Sequence, residues 1–103
     1  MSFGFPAYHT ESFTATHPNV DLRGAVRETL LALGWKAREE DASSITAAVG
    51  INWRSWGERV AVTFLPDRRL SVTSRCALPT QCLDWGRNET NVLRFLNELR
   101  RRA

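Results

Sequence analysis

Few residues of this chain are placed to do chemistry. Two tryptophan–glycine pairs recur, in Trp56-Gly57-Glu58 and Trp85-Gly86-Arg87. Each sets a large ring beside a residue that permits unusual backbone angles. Opposite charges follow the two pairs, so a Glu58–Arg87 contact with both indoles nearby would tie the start of a helix to a hairpin tip. Acid–base work has three candidates: Glu58, Asp84 and His17. A triad of Ser74, His17 and Asp84 can be drawn from residue types, yet no Gly-x-Ser-x-Gly elbow marks a nucleophile. Cys76 and Cys82 have five residues between them, which is not the C-x-x-C spacing of zinc or redox sites. His9 and His17 join them only if the fold brings them together. Gly50 and Gly57 stand alone, without a phosphate-cradling pattern. The expectation is no metal, no cofactor and no catalytic residue.

These residues sit in a chain of 103 residues, 43% hydrophobic and 24% charged. That suits one domain, since half of it would be too small for a core. Residues 1–7, with Gly4 and Pro6, read as a flexible leader and residues 8–103 as the domain. No apolar run approaches the ~18–20 residues that cross a bilayer. The first residues lack a basic and then apolar signal sequence. Two cysteines are too few for a disulfide scaffold. A soluble cytoplasmic protein with free thiols is expected. The net charge is +3, and thirteen of fourteen basic residues are Arg. That is modest for a nucleic-acid binder. Arg100-Arg101-Arg102 complements a helix dipole, with anion contact as the alternative.

The elements follow from hydrophobic period. Residues 8–16, rich in Thr and aromatics, read as a strand, broken at His17-Pro18-Asn19. Leu22, Ala25, Val26, Thr29, Leu30 and Leu33 fall on one face of a helix. Asn19 or Asp21 would cap it, and Gly34 would close it in a left-handed conformation. Arg23, Arg27 and Glu28 lie on its other face. From Trp35 the period becomes two. Residues 35–39 read as a strand ending in the charged corner Glu39-Glu40-Asp41. Residues 44–53 put Ile45, Ala47, Val49, Ile51 and Trp53 on one side. Residues 58–65 put Val60, Val62 and Phe64 there, and residues 70–76 add Leu70, Val72, Ser74 and Cys76. Pro66 presets a turn. Residues 77–83 cross over to a helix at 88–101, whose stripe is Val92, Phe95, Leu96 and Leu99. Asp84 or Asn88 would cap it, and Asn91 would bond back to turn backbone. Short connections imply an antiparallel meander. The predicted fold is a two-layer α+β sandwich, β-α-β-β-β-β-α, with a four- to five-stranded antiparallel sheet and both helices on one face.

Ser55-Trp56-Gly57-Glu58, Ser71-Val72-Thr73-Ser74, Leu78-Pro79-Thr80-Gln81 and Asp84-Trp85-Gly86-Arg87-Asn88-Glu89-Thr90-Asn91 together resemble a small, uncharacterised bacterial domain family. The likeness runs from about the first helix to the end. Position 87 is usually basic in that family, as Arg87 is here. The resemblance implies this fold and a bacterial source. The family has no established activity, so it supplies no catalytic residues.

The other sheet face is small, hydroxyl-rich and nearly uncharged: Ser44, Thr46, Ala48, Gly50, Asn52, Ala61, Thr63, Ser71 and Thr73. Arg75 and either Lys36 or Arg38 lie at its margin. Antiparallel sheets tolerate one wet face, but charge depletion also typifies interface cores, and Trp53 and Trp56 near the rim would anchor a partner. The candidate binding residues are Trp53, Trp56, Glu58, Arg75, Trp85 and Arg87. The leading reading is a non-catalytic module that binds a protein, a second copy or a small ligand on this face. A binder of anionic surfaces, nucleic acid or phospholipid headgroups, ranks second. A small enzyme ranks third.

Overall fold

The computed structural model describes residues 8–17, 19–49, 58–76 and 87–103. The leader reading of residues 1–7 lies outside them. Seven elements follow in the expected order: β1 (Tyr8–Thr14), α1 (Leu22–Leu33), β2 (Lys36–Glu40), β3 (Ser44–Val49), β4 (Glu58–Leu65), β5 (Arg69–Cys76) and α2 (Arg87–Arg100). The strands form one sheet in the order β1-β5-β4-β3-β2, and every neighbouring pair is antiparallel. The protein is a two-layer α+β sandwich.

Period-two patterning does the packing work. Ile45, Ala47, Val60, Val62, Leu70 and Val72 lose all contact with water beneath the helices. Val92, Phe95 and Leu99 of α2 are likewise fully enclosed, as is Val26 of α1. Each large side chain so buried contributes about 1.5–3 kcal/mol before entropy is counted. Leu22, Leu33 and Phe64, expected in the core, are only partly buried against it. Expected core residue Ile51 lies outside the described residues. Trp35 joins the core instead, 6% exposed, its ring stacked on Phe95 with centroids 6.4 Å apart.

Local chemistry sets the ends of α1. Gly34 adopts φ 75°, the left-handed closure that only glycine reaches without strain. Asp21 occupies the N-cap position but makes no side-chain cap bond. Thr29, mid-helix and fully buried, satisfies its hydroxyl by donating to the Ala25 carbonyl at 2.8 Å. β1 ends two residues earlier than expected, and beyond it the Ala15 N–H bonds to the Arg68 carbonyl and the Thr16 N–H to the Ala103 carbonyl. After Pro66 the β4–β5 turn carries left-handed φ at Asp67 (62°) and Arg68 (57°), which suits the twist of a hairpin. Arg68 Nη2 then donates to the His17 and Val20 carbonyls at 2.8 and 2.7 Å, joining that turn to the β1–α1 connection.

Candidate functional site: two faces of the β4–β5 pair

Successive strand residues point to opposite faces. The β4–β5 register sets Glu58 opposite Cys76, Arg59 opposite Arg75, and Val60 opposite Ser74. Glu58 and Ser74 therefore turn toward α2, and their chain neighbours Arg59 and Arg75 turn to the opposite face. One short stretch of ladder builds both sides of the site.

On the helix side is a buried polar knot. Asn91 of α2 donates its amide to Glu58 Oε1 at 3.0 Å and to Ser74 Oγ at 3.3 Å. Glu58 is 5% exposed, Ser74 not at all, and Asn91 6%. A carboxylate at that depth needs hydrogen-bond donors, and a primary amide has two to give. Asn91 thus bonds to the sheet rather than to turn backbone as expected.

The knot also removes the triad drawn from residue types. The Ser74 hydroxyl is enclosed beneath α2, unavailable to a substrate. His17 lies beyond the opposite end of the sheet, where Nδ1 sits 3.0 Å from the Ala103 carbonyl oxygen. Glu58 and His17 are separated in the same way, so they form no acid–base pair. Asp84 falls outside the described residues.

The open face is ordered in rows across the strands. Ser12, Ser71, Thr63 and Ser44 stand side by side in register. Beside them run Thr10, Thr73, Ala61, Thr46 and Glu39, with the Thr10 and Thr73 hydroxyls bonded at 2.7 Å. The third row runs Tyr8, Arg75, Arg59, Ala48 and Lys36, three of its five positions basic and Ala48 buried between Arg59 and Lys36. Of the two marginal candidates, Lys36 takes the row position, while Arg38 sits where the β2–β3 register shifts. Like charges directly opposite each other repel, yet Arg59 and Arg75 have no ion pair among the described residues. Arg59 Nη1 is shielded from solvent and has no hydrogen-bond acceptor among the described residues, and the same holds for Arg68 Nε.

The candidate binding residues therefore part company. Glu58 goes under α2 and Arg75 to the open face. Trp53, Trp56 and Trp85 lie outside the described residues, as do Gly50, Asn52, Cys82 and the side chains of Cys76 and Arg87. The Glu58–Arg87 contact consequently falls outside them too. Arg59 was missed. The alternation that turns Ala61 and Thr63 outward also turns Arg59 outward, but its position opposite Arg75 depends on strand pairing.

Several charged groups elsewhere pair with one another or with backbone. Glu40, at the end of β2, accepts from Arg23 at 2.8 Å and from Arg27. The Arg27 hydrogen bond, with that of Arg23, holds the Glu40 carboxyl below its ordinary range. Arg27 is raised in turn by Glu40. Backbone and hydroxyl bonds from Ser43, with Ser44, lower Asp41. Arg101 and Arg102 both pair with Glu98, and Arg100 bonds to Asn97, so the terminal basic run is held by its own helix. Between α1 and β2 lies a cleft of 220 Å³ lined by Arg27, Leu30, Leu31, Trp35, Ala37 and Glu40, smaller than the ~300 Å³ at the low end of small-molecule pockets. Among the described residues no cluster of three His, Cys, Asp or Glu side chains could hold a metal, and no helix is long and apolar enough to cross a membrane.

Compared with models of known protein families and with curated proteins, the chain matches none.

Proposed function

We propose that the protein is a binding module, bacterial and cytoplasmic, that presents the open sheet face to a ligand or partner. One observation carries this reading. The face opposite the helices bears two rows dominated by hydroxyls beside a row whose arginines have no ion pair among the described residues. A face evolved only for water has no need to set two arginines opposite each other, since that arrangement costs stability. Small side chains allow close approach, and Ser and Thr hydroxyls both donate and accept. The Trp-Gly resemblance agrees with a bacterial module of this size.

The test is a titration of ¹⁵N-labelled protein with a panel of small hydroxyl- and carboxyl-bearing fragments. Amide shifts are expected on Ser12, Thr63, Ser71 and Thr73. Shifts confined to Leu31, Trp35 and Ala37 would move the function to the α1–β2 cleft. A panel that leaves the hydroxyl rows unmoved would sink the reading.

A further inference from the structure

We infer that the basic row of the open face is a phosphate site, and that its ligand is a small phosphorylated polyol. The inference rests on the binding-face reading and names its chemistry. Arg59 and Arg75 are directly opposed across β4 and β5, and Lys36 shares their row with only the small Ala48 between. A carboxylate offers two oxygens, which a single guanidinium fork satisfies. A phosphate monoester offers three terminal oxygens and a charge near −2, which suits two forks with an ammonium at the flank. Its charge would relieve the repulsion between the two guanidinium groups. Arg59 Nη1 is shielded from solvent and has no acceptor among the described residues; a turn of the side chain toward a phosphate oxygen supplies one. The adjoining row holds Thr10, Thr73 and Thr46, whose hydroxyls match a hydroxyl-bearing remainder better than an apolar one. A bilayer presents the same chemistry as a headgroup phosphodiester, but a phosphodiester has one fewer free oxygen to share between two forks.

The probes are sn-glycerol 3-phosphate, inorganic phosphate, glycerol, and vesicles of phosphatidylglycerol. With glycerol 3-phosphate, saturable amide shifts are expected at Lys36, Ala48, Arg59 and Arg75, extending to Thr73. Affinity should exceed that for inorganic phosphate, and glycerol alone should not bind. Arg59→Gln and Arg75→Gln should each weaken binding at least about tenfold, and added salt should weaken it further. Arg100→Gln, on the far layer, should leave it unchanged. Arg75 is exposed, so Arg75→Gln keeps the test decisive even if Arg59→Gln unfolds. Unaltered affinity in Arg75→Gln would overturn the site. Equal affinity for phosphate and glycerol 3-phosphate would overturn the polyol, and binding to vesicles alone would overturn the soluble ligand. Fragment shifts on Thr63 and Ser71 without any response to phosphate would reject this inference and leave the binding face standing.

Discussion

Asn91 and Glu58 meet in a 3.0 Å hydrogen bond beneath α2 although 33 residues separate them in the chain. The bond holds the first residue of β4 to the helix, and with Ser74 it ties α2 to the β4–β5 pair. The same ladder positions Arg59 and Arg75 on the far side.

Removing Asn91 tests the knot. Asn91→Ala should cost about 1–3 kcal/mol, because buried acceptors lose a donor. Asn91→Asp, nearly identical in shape, should cost more, since it sets a second carboxylate beside Glu58. Urea denaturation measures both. Equal stability of Asn91→Ala and the parent would mean the bond holds nothing together.

One substitution should act with opposite sign at two glycines of α1. Gly34→Ala should destabilise by about 1–2 kcal/mol, through left-handed strain alone, because a Cβ there meets nothing within 4 Å. Gly24→Ala should stabilise by up to about 1 kcal/mol through helix propensity. Its Cβ would meet only the Asp21 side chain, Oδ2 at 2.7 Å, Cγ at 3.3 Å and Cβ at 3.7 Å, which makes no cap bond and can swing aside. Thermal melts of the two variants decide the matter.

Acid should loosen the α1–β2 contact. Glu40 and Asp41 are both held below their ordinary range, so in the folded protein they keep their charge to lower pH than in the unfolded chain. The stability they contribute is present above the unfolded carboxylate pKa of about 4 and is lost as pH falls through the folded values. Melting temperature should therefore drop below about pH 4, and the slope should flatten in Glu40→Gln and Asp41→Asn. A parallel pH profile in both variants would contradict this.

Core and cleft should respond unequally. Phe95→Ala removes a fully buried ring that stacks on Trp35 and should cost about 3–5 kcal/mol. Leu31→Ala, at a position 79% exposed, should stay within about 0.5 kcal/mol. Chemical denaturation of both variants gives the comparison.

The arginine pair should set binding against stability. Arg75→Thr removes a like charge directly opposite Arg59 and introduces a good strand residue, so it should stabilise by about 0.2–1 kcal/mol. A destabilised Arg75→Thr in a thermal melt would show that the two guanidinium groups support each other in the absence of ligand.

Hydrophobic patterning along the chain was enough to set its elements and the faces they bury. The stripe from Leu22 to Leu33 can be buried only as a helix, and the alternation through Ile45, Val60, Val62 and Val72 only as strands. Gly34 announced its own left-handed turn. These are local properties, because the period of the hydrophobic pattern and the φ preference of a single residue act within one segment. Which residues stand opposite each other was decided by the tertiary structure alone. The pairing of β1 with β5, Arg59 facing Arg75, Asn91 reaching Glu58 and Ser74, Glu40 clasped from α1 and Trp35 stacked on Phe95 all join distant parts of the chain. Period-two alternation fixes a side chain's face but not its partner. Register is selected by the summed packing of the whole sheet against its helices, a quantity that no single segment contains.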